Sequence, residues 1–320
     1  MDRPLVSIVI PTYNRPDRLP RAIQSVLEQT YAPIEIIVVN DCGSGVEAII
    51  ESMNSTKTIH YCRHGANKGL AGARNTGIRY ATGKYIGYLD DDDMLYPDHV
   101  ATLVEFLESN QCEVAYTDSR EAHQLQENGN YRTVNYFLRY SVDFDYEGIL
   151  VQNFVPVLCF LHARECFSKV EPFDESLSAH EDWDFWIRLS RQYRMHHIPT
   201  VTSEYSQVLN ANNQNMSRNI ARMYKTAARV HEKNAQWVQD RPDLKLRQQQ
   251  FAEAMRSNWE IQARAEFNQF VEPLVKFMEA KDTAAALKWF DEHADKFRNG
   301  LPEIQPEFAQ IEDMMKRVRK

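Results

Sequence analysis

Residues 34–41 read IEIIVVND and residues 5–14 read LVSIVIPTYN. Each is a β-branched apolar run that stops abruptly at polar residues. Apolar side chains at successive rather than alternate positions mark a strand covered on both faces. Between the two runs, residues 16–29 place Leu19, Ile23, Val26 and Leu27 at helical spacing. Pro16 and Pro20 fall near the start of that helix, where proline is tolerated. Further along, the pattern predicts a weak helix over 45–52, a strand over 58–64 and a helix over 69–81. A fourth strand is expected over 85–89, a helix over 97–109 and a fifth strand over 113–117. Strands alternating with helices mean a mostly parallel α/β sheet with right-handed crossovers.

Beyond residue 118 the pattern weakens. Residues 119–147, which include GNYRTVNYFLRY from Gly129, are polar and aromatic and read as a surface excursion over the site. Residues 155–162 are apolar again, 182–193 read as an amphipathic helix, and 196–205 as one more strand. From about residue 216 only helical patterning is left, over 218–239, 244–267, 269–279, 283–297 and 307–318. Leu287, Phe290, Ala294 and Phe297 mark one buried face, and Pro242, Pro273, Pro302 and Pro306 read as punctuation between helices. The expectation is a catalytic domain over 1–215 and a helical domain over 216–320.

Net charge is −8 over 320 residues and is unevenly placed. Residues 1–215 hold 18 basic and 29 acidic side chains, residues 216–320 hold 19 and 16. An acidic front half argues against a broad nucleic-acid surface. The end MMKRVRK, closing on Lys320, is a weak basic patch, read as a solvated helix end ahead of contact with anionic lipid. Five cysteines without a CxxC pair argue against a disulfide framework or zinc site and for a reducing cytosol. The opening MDRPLVSIVIPTYN has Asp2 and Pro4 where a signal peptide wants a basic n-region, and no apolar stretch has the length of a membrane span. The expected location is cytoplasmic, with peripheral contact at the inner membrane face left open.

Ligands of an open α/β sheet bind at the carboxyl ends of its strands. Thr12, Tyr13, Asn14, Asp41 and the run Asp90, Asp91, Asp92, Asp93 all fall there. Four successive carboxylates repel one another unless something positive sits among them. A divalent cation with hard oxygen ligands, Mg2+ or Mn2+, answers that need and can bridge a diphosphate. The plainer alternative is a solvated acidic turn capping the helix that follows.

PTYNRPDRLPRAIQSVLEQTY, VVND, NKGLAGARNTGI, YLDDDD and FDESLSAHEDWDFWIRL follow one another here in the order seen in family 2 glycosyltransferases. The resemblance covers residues 5–210. It implies a GT-A fold: an α/β, Rossmann-like, mostly parallel sheet flanked by helices, here with a C-terminal all-helical extension. It also implies inverting transfer of a sugar from a nucleotide-sugar donor, a UDP-sugar by default, to a hydroxyl acceptor. A glycan or lipid-linked glycan in bacterial surface polysaccharide or glycoconjugate synthesis is the expected acceptor context.

In the resembling pattern, Pro11, Thr12 and Tyr13 close the first strand around the nucleoside, and Arg15 faces phosphate; core packing is the alternative for Tyr13. Asp41 accepts from the base or ribose. Asn40, Gly43 and Ser44 depart from the usual acidic-then-serine pattern and blur base selectivity. Lys68 and Arg74 reach the diphosphate or sugar. Asp92 is the expected metal ligand with Asp90, while Asp90 or Asp91 meets the ribose or a metal-bound water. Asp93 is expected to cap the next helix. Asp182 of the ED pair is the implied general base, kept ionised by its helix N-terminus, and Glu181 orients the acceptor. Trp183 and His180 are candidate acceptor contacts. Ser206, Gln207 and Val208 stand where many relatives carry arginine and histidine, so no histidine is assigned as a ligand.

Two other classes compete. A sugar nucleotidyltransferase needs a glycine-rich basic loop after the first strand, which PTYNRPDR does not supply. A catalytically silent glycan- or partner-binding module keeps the fold without the chemistry; the aspartate run and the ED pair together argue against it. The helical tail is read as a brace or homodimer interface ahead of an acceptor-binding element.

Overall fold

The computed structural model describes residues 3–53, 55, 57–127, 130–209, 216–298 and 304–319. Asp2, Gly129, Pro302 and Lys320 lie outside the described residues. Two compact units emerge: residues 1–213 with 226–248, and residues 214–225 with 249–320.

The two apolar runs become β1 (Val6–Thr12) and β2 (Ile34–Asn40), each buried along its whole length. They pair in parallel from Val6 opposite Ile34 to Thr12 opposite Asn40. β3 (Thr58–Arg63) adds to β2, and β4 (Tyr85–Tyr88) to β1, both in parallel. The crossovers run through α1 (Leu19–Leu27), α2 (Glu47–Ser52) and α3 (Gly69–Tyr80). α1 buries Leu19, Ile23 and Val26, the stripe expected from their spacing. α3 packs so close to β1 that a Cβ on Gly77 would stand 2.2 Å from Val9 Cγ1. Only glycine permits that approach.

The other half of the sheet is mixed. β5 (Met94–Leu95) and α4 (His99–Asn110) follow β4, then β6 (Val114–Glu127), β7 (Asn130–Tyr140), β8 (Phe160–Ala163), α5 (Glu181–Ser190) and β9 (His196–Val208). The order across the sheet is β3-β2-β1-β4-β8-β6-β9-β5, with β7 paired to β6 off this path. β8 runs antiparallel to both neighbours, whereas β6 and β9 are parallel.

The surface excursion expected over residues 119–147 has regular structure. Most of the segment is a long hairpin of β6 and β7. β7 is exposed nearly throughout, and Val134, Tyr136, Phe137 and Leu138 all reach solvent, so the segment lacks the buried alternation that announces a strand. On β7, Tyr131 donates to Asp17 at 2.7 Å and lies under the Arg18 guanidinium at 4.2 Å. The hairpin is thereby latched to the loop after β1.

α6 (Met216–Lys233) and α7 (Pro242–Glu279) follow. Pro273 lies inside α7, so the break expected there does not occur. Phe270 and Leu274, on either side of it, are both buried in one cluster with Ala263 and Phe267. That packing offsets the roughly 3 kcal/mol an internal proline costs. α8 (Thr283–His293) and α9 (Gln305–Val318) close the second unit's core through Ala286, Phe290, Phe308 and Met315. Among the described residues no helix is long and apolar enough to cross a membrane.

Candidate active site

β1 and β2 end together at Thr12 and Asn40, where the Asp41 amide donates to the Thr12 carbonyl at 2.9 Å; β4 stops opposite Val9, the Leu89 amide donates to the Val9 carbonyl at 3.0 Å, and the aspartate run follows toward the same rim. The carboxylates predicted to share this rim do share it, but the positive charge among them comes from the chain itself. Arg15 lies 3.0 Å from Asp91 and 2.7 Å from Asp92. Arg18 adds a contact to Asp92 at 3.3 Å. Arg74 is only 2% exposed and meets Asp90 at 2.6 Å with one amino group and Glu181 with the other. Three guanidinium groups thus serve where the sequence asked for a cation.

The four aspartates differ sharply in surroundings. The side chains of Asp90 and Asp92 keep 27% and 22% of their surface exposed. Asp91 is buried and accepts from the Thr12 hydroxyl at 2.7 Å. Burial, opposed by Arg15, pushes its pKa up to about 6. Asp93 does not cap a helix. It is buried with one oxygen accepting from the Ser206 amide at 2.8 Å, and α4 starts after Asp98 with no side-chain cap. Burial beside three like charges holds Asp93 well above the usual carboxylate range.

Pro11 and Thr12 end β1 in the buried layer, while Tyr13 is 48% exposed, which removes core packing as its role. Asp41 accepts from the backbone N–H groups of Lys68 and Gly69, both at 2.8 Å, and lies 2.7 Å from His64. Its carboxylate pins the loop entering α3. Lys68 itself is exposed beside that loop.

Glu181 and Asp182 open α5, in the first turn as expected. The helix N-terminus does not decide their charge. Burial pushes Glu181 up to about 7, against the pull of Arg74. Burial also raises Asp182, opposed by Arg74, by the Trp183 amide and by Asn153. Asp182 accepts from Trp183 N–H at 2.7 Å and from Asn153 Nδ2 at 3.1 Å. Sequence reading missed Asn153, which lies between two short 3-10 turns, Gly148–Leu150 and Val157–Cys159. It missed Arg18 as well.

Trp183 is withdrawn as an acceptor contact. It is fully buried, and its indole N–H donates to the Ile149 carbonyl at 2.5 Å. His180 sits in left-handed backbone at φ 60°, with Thr226 Oγ1 3.0 Å from its Nδ1.

Asp90 and Asp92 are hard oxygen donors, open enough to reach an ion, and Mg2+ is commonly held by one or two carboxylates plus substrate phosphates. No three His, Cys, Asp or Glu side chains among the described residues form a metal cage by themselves. The donor set therefore suits an ion shared with a ligand.

Residues 7–164 match the sequence model of Glycosyl transferase family 2. This domain belongs to that family. The chain is 29% identical over 201 residues to the uncharacterized glycosyltransferase YwdF of Bacillus subtilis (strain 168), a match covering 63% of this chain and 74% of that one. Against a glycosyltransferase of Rickettsia conorii, 37% identical over 127 residues, the match spans 20% of the relative. In structure the chain is similar to S. aureus TarS 1-349 in complex with UDP-GlcNAc, with a TM-score of 0.53 and 15% identity over 88% of this chain and 89% of that one. It is also similar to a mannosyltransferase from Pyrobaculum calidifontis in complex with GDP-Man and Mn2+, with a TM-score of 0.55 and 16% identity over 91% and 88%. These likenesses show that the fold is GT-A.

Proposed function

We propose that this glycosyltransferase binds a nucleotide-sugar at the rim formed by β1, β2 and β4 and transfers the sugar with inversion to a hydroxyl acceptor. The observation that carries the reading is Arg74, whose single guanidinium touches both Asp90 and Glu181. It sets the donor-side acids beside the ED pair in one continuous polar site.

In this reading Thr12 and Tyr13 border the nucleoside, and Arg15 and Arg18 turn from Asp92 to the diphosphate when the donor enters. Lys68 stands at the exposed entry to α3. Asp92, with Asp90, would hold Mn2+ or Mg2+, which neutralises charge on the departing diphosphate. Asp182 takes the proton of the acceptor hydroxyl as its oxygen forms a bond to the anomeric carbon. The bond from that carbon to the diphosphate oxygen breaks, and its electron pair leaves with the nucleoside diphosphate. Direct displacement inverts the centre and needs no enzyme nucleophile. Glu181, held by Arg74, orients the acceptor.

UDP-GlcNAc and GDP-Man, bound in the two similar structures, make uridine and guanosine donors the first to try. A glycan or lipid-linked glycan of a surface polysaccharide is the acceptor class we favour, with work at the inner membrane face and pairing through the helical tail as accompanying proposals. Nucleoside diphosphate release from a donor panel with Mn2+ tests the reading. The expected result is release by the wild type, abolished in Asp92→Ala and in Asp182→Asn. Release unaffected by either substitution would overturn it, and binding without release in the wild type would favour a silent module.

A further inference from the structure

Asn153 is held on both sides. Its Oδ1 accepts from the Val155 amide at 3.3 Å, which leaves Nδ2 to point at Asp182 Oδ2, 3.1 Å away. The segment that carries it is itself anchored. Trp183 donates to Ile149, His231 lies 2.9 Å from the Val151 carbonyl, and Gln248 donates to the Leu150 carbonyl at 2.6 Å. An amide so braced cannot turn its oxygen toward Asp182 without losing the Val155 bond.

Around Asp182 stand Arg74 from α3, Asp90 after β4, and Glu181 and His180 at the start of its own helix. On the same helix Asp184 is taken up by Arg188 at 2.9 Å and Lys233 at 3.0 Å. From α6, His231 packs edge-on against Trp183, and burial lowers its pKa, which keeps it neutral. Arg74 is shared with Asp90 and Glu181, so among the described residues no cation is dedicated to Asp182. A half-buried carboxylate in that position is kept ionised by neutral donors. The Trp183 amide supplies one, and Asn153 is the side chain that supplies the other.

We propose that Asn153 is a positioning residue that orients Asp182 and holds it in the proton-accepting form. The proposal rests on the reading of Asp182 as the base. Each carboxylate oxygen keeps a lone pair after its one hydrogen bond, so the proton from the acceptor still has a place to go. Asn153 touches no reacting atom; it acts through Asp182.

The test is the titration of Asp182, followed by carbon-13 NMR of aspartate-labelled protein and assigned with Asp182→Asn. Asn153→Ala should raise its midpoint by about one pH unit, the expected loss of a hydrogen bond to a charged group. Asn153→Asp, matched in shape but charged, should raise it further. In UDP release from UDP-GlcNAc with Mn2+, the acid limb of the pH profile should move up by the same amount, with the rate lowered up to tenfold along that limb and near wild type on the alkaline plateau. An unmoved midpoint in both variants, or a loss of rate equal at every pH, overturns the proposal. Full activity in Asp182→Asn would instead remove the base reading, whatever Asn153 does.

Discussion

Arg74 Nη2 lies 2.6 Å from Asp90 Oδ1, and the guanidinium that makes this contact is almost wholly buried. Its second contact, to Glu181, closes a bridge from α3 to α5. Removing one partner of such a group leaves a buried charge unanswered, at about 3–5 kcal/mol. Arg74→Ala should therefore lower stability in urea by that order at pH 8. The loss should shrink at pH 5.5, where Glu181 takes up a proton. Arg74→Lys should recover part of the stability, because an ammonium cannot span both carboxylates as the fork does. Equal destabilisation at both pH values would contradict the bridge.

Glu181 gives a pH dependence of known sign. Its folded pKa, about 7, stands above its ordinary value near 4.5 because of burial. The folded state then binds the proton more tightly than the unfolded chain, so stability falls as pH rises between those two values. Glu181→Gln removes that dependence. The difference in Tm between Glu181→Gln and wild type should move in favour of the variant from pH 5 to pH 7 and level off above. A difference that runs the other way would show that Arg74 outweighs burial.

Trp183 is expected to act on stability alone. Trp183→Phe removes the indole N–H from the Ile149 carbonyl and should cost about 1–3 kcal/mol in urea unfolding. The acceptor KM should stay unchanged. A raised KM with unchanged stability would restore the acceptor role first read from the sequence.

Arg15 and Arg18 occupy Asp92 in the structure. If they turn to the diphosphate on donor binding, Arg15→Ala/Arg18→Ala should weaken UDP binding at least tenfold. The same double variant should bind Mn2+ more tightly than wild type in the absence of nucleotide. Calorimetry with UDP and with Mn2+ separately reads both effects.

How much of this was legible follows from where the physics is local. β1 and β2 were readable to within a residue because both faces are covered, so short runs rich in β-branched residues mark them. The hairpin of β6 and β7 was not, because β7 buries almost nothing. Pro273 reads as a break in any local window; only Phe270, Leu274 and the helices they meet keep α7 continuous. At the site, the aspartate run 90–93 was placed by the strand end before it, while the resemblance singled out Asp90, Asp92 and Asp182. Which of the four aspartates is buried, and the convergence of Arg15, Arg18 and Arg74 on them, depend on loops crossing the rim. Asn153 carried no signal, since its role depends on a neighbour 29 residues on.

The most direct test of the central claim is calorimetric titration of UDP-, GDP- and dTDP-sugars into the protein with Mn2+, for wild type and Asp92→Ala. The account predicts saturable binding of one donor class by the wild type, weakened at least tenfold by the substitution and by chelating the ion. Equal binding by wild type and variant, or no binding of any of the three, would contradict it.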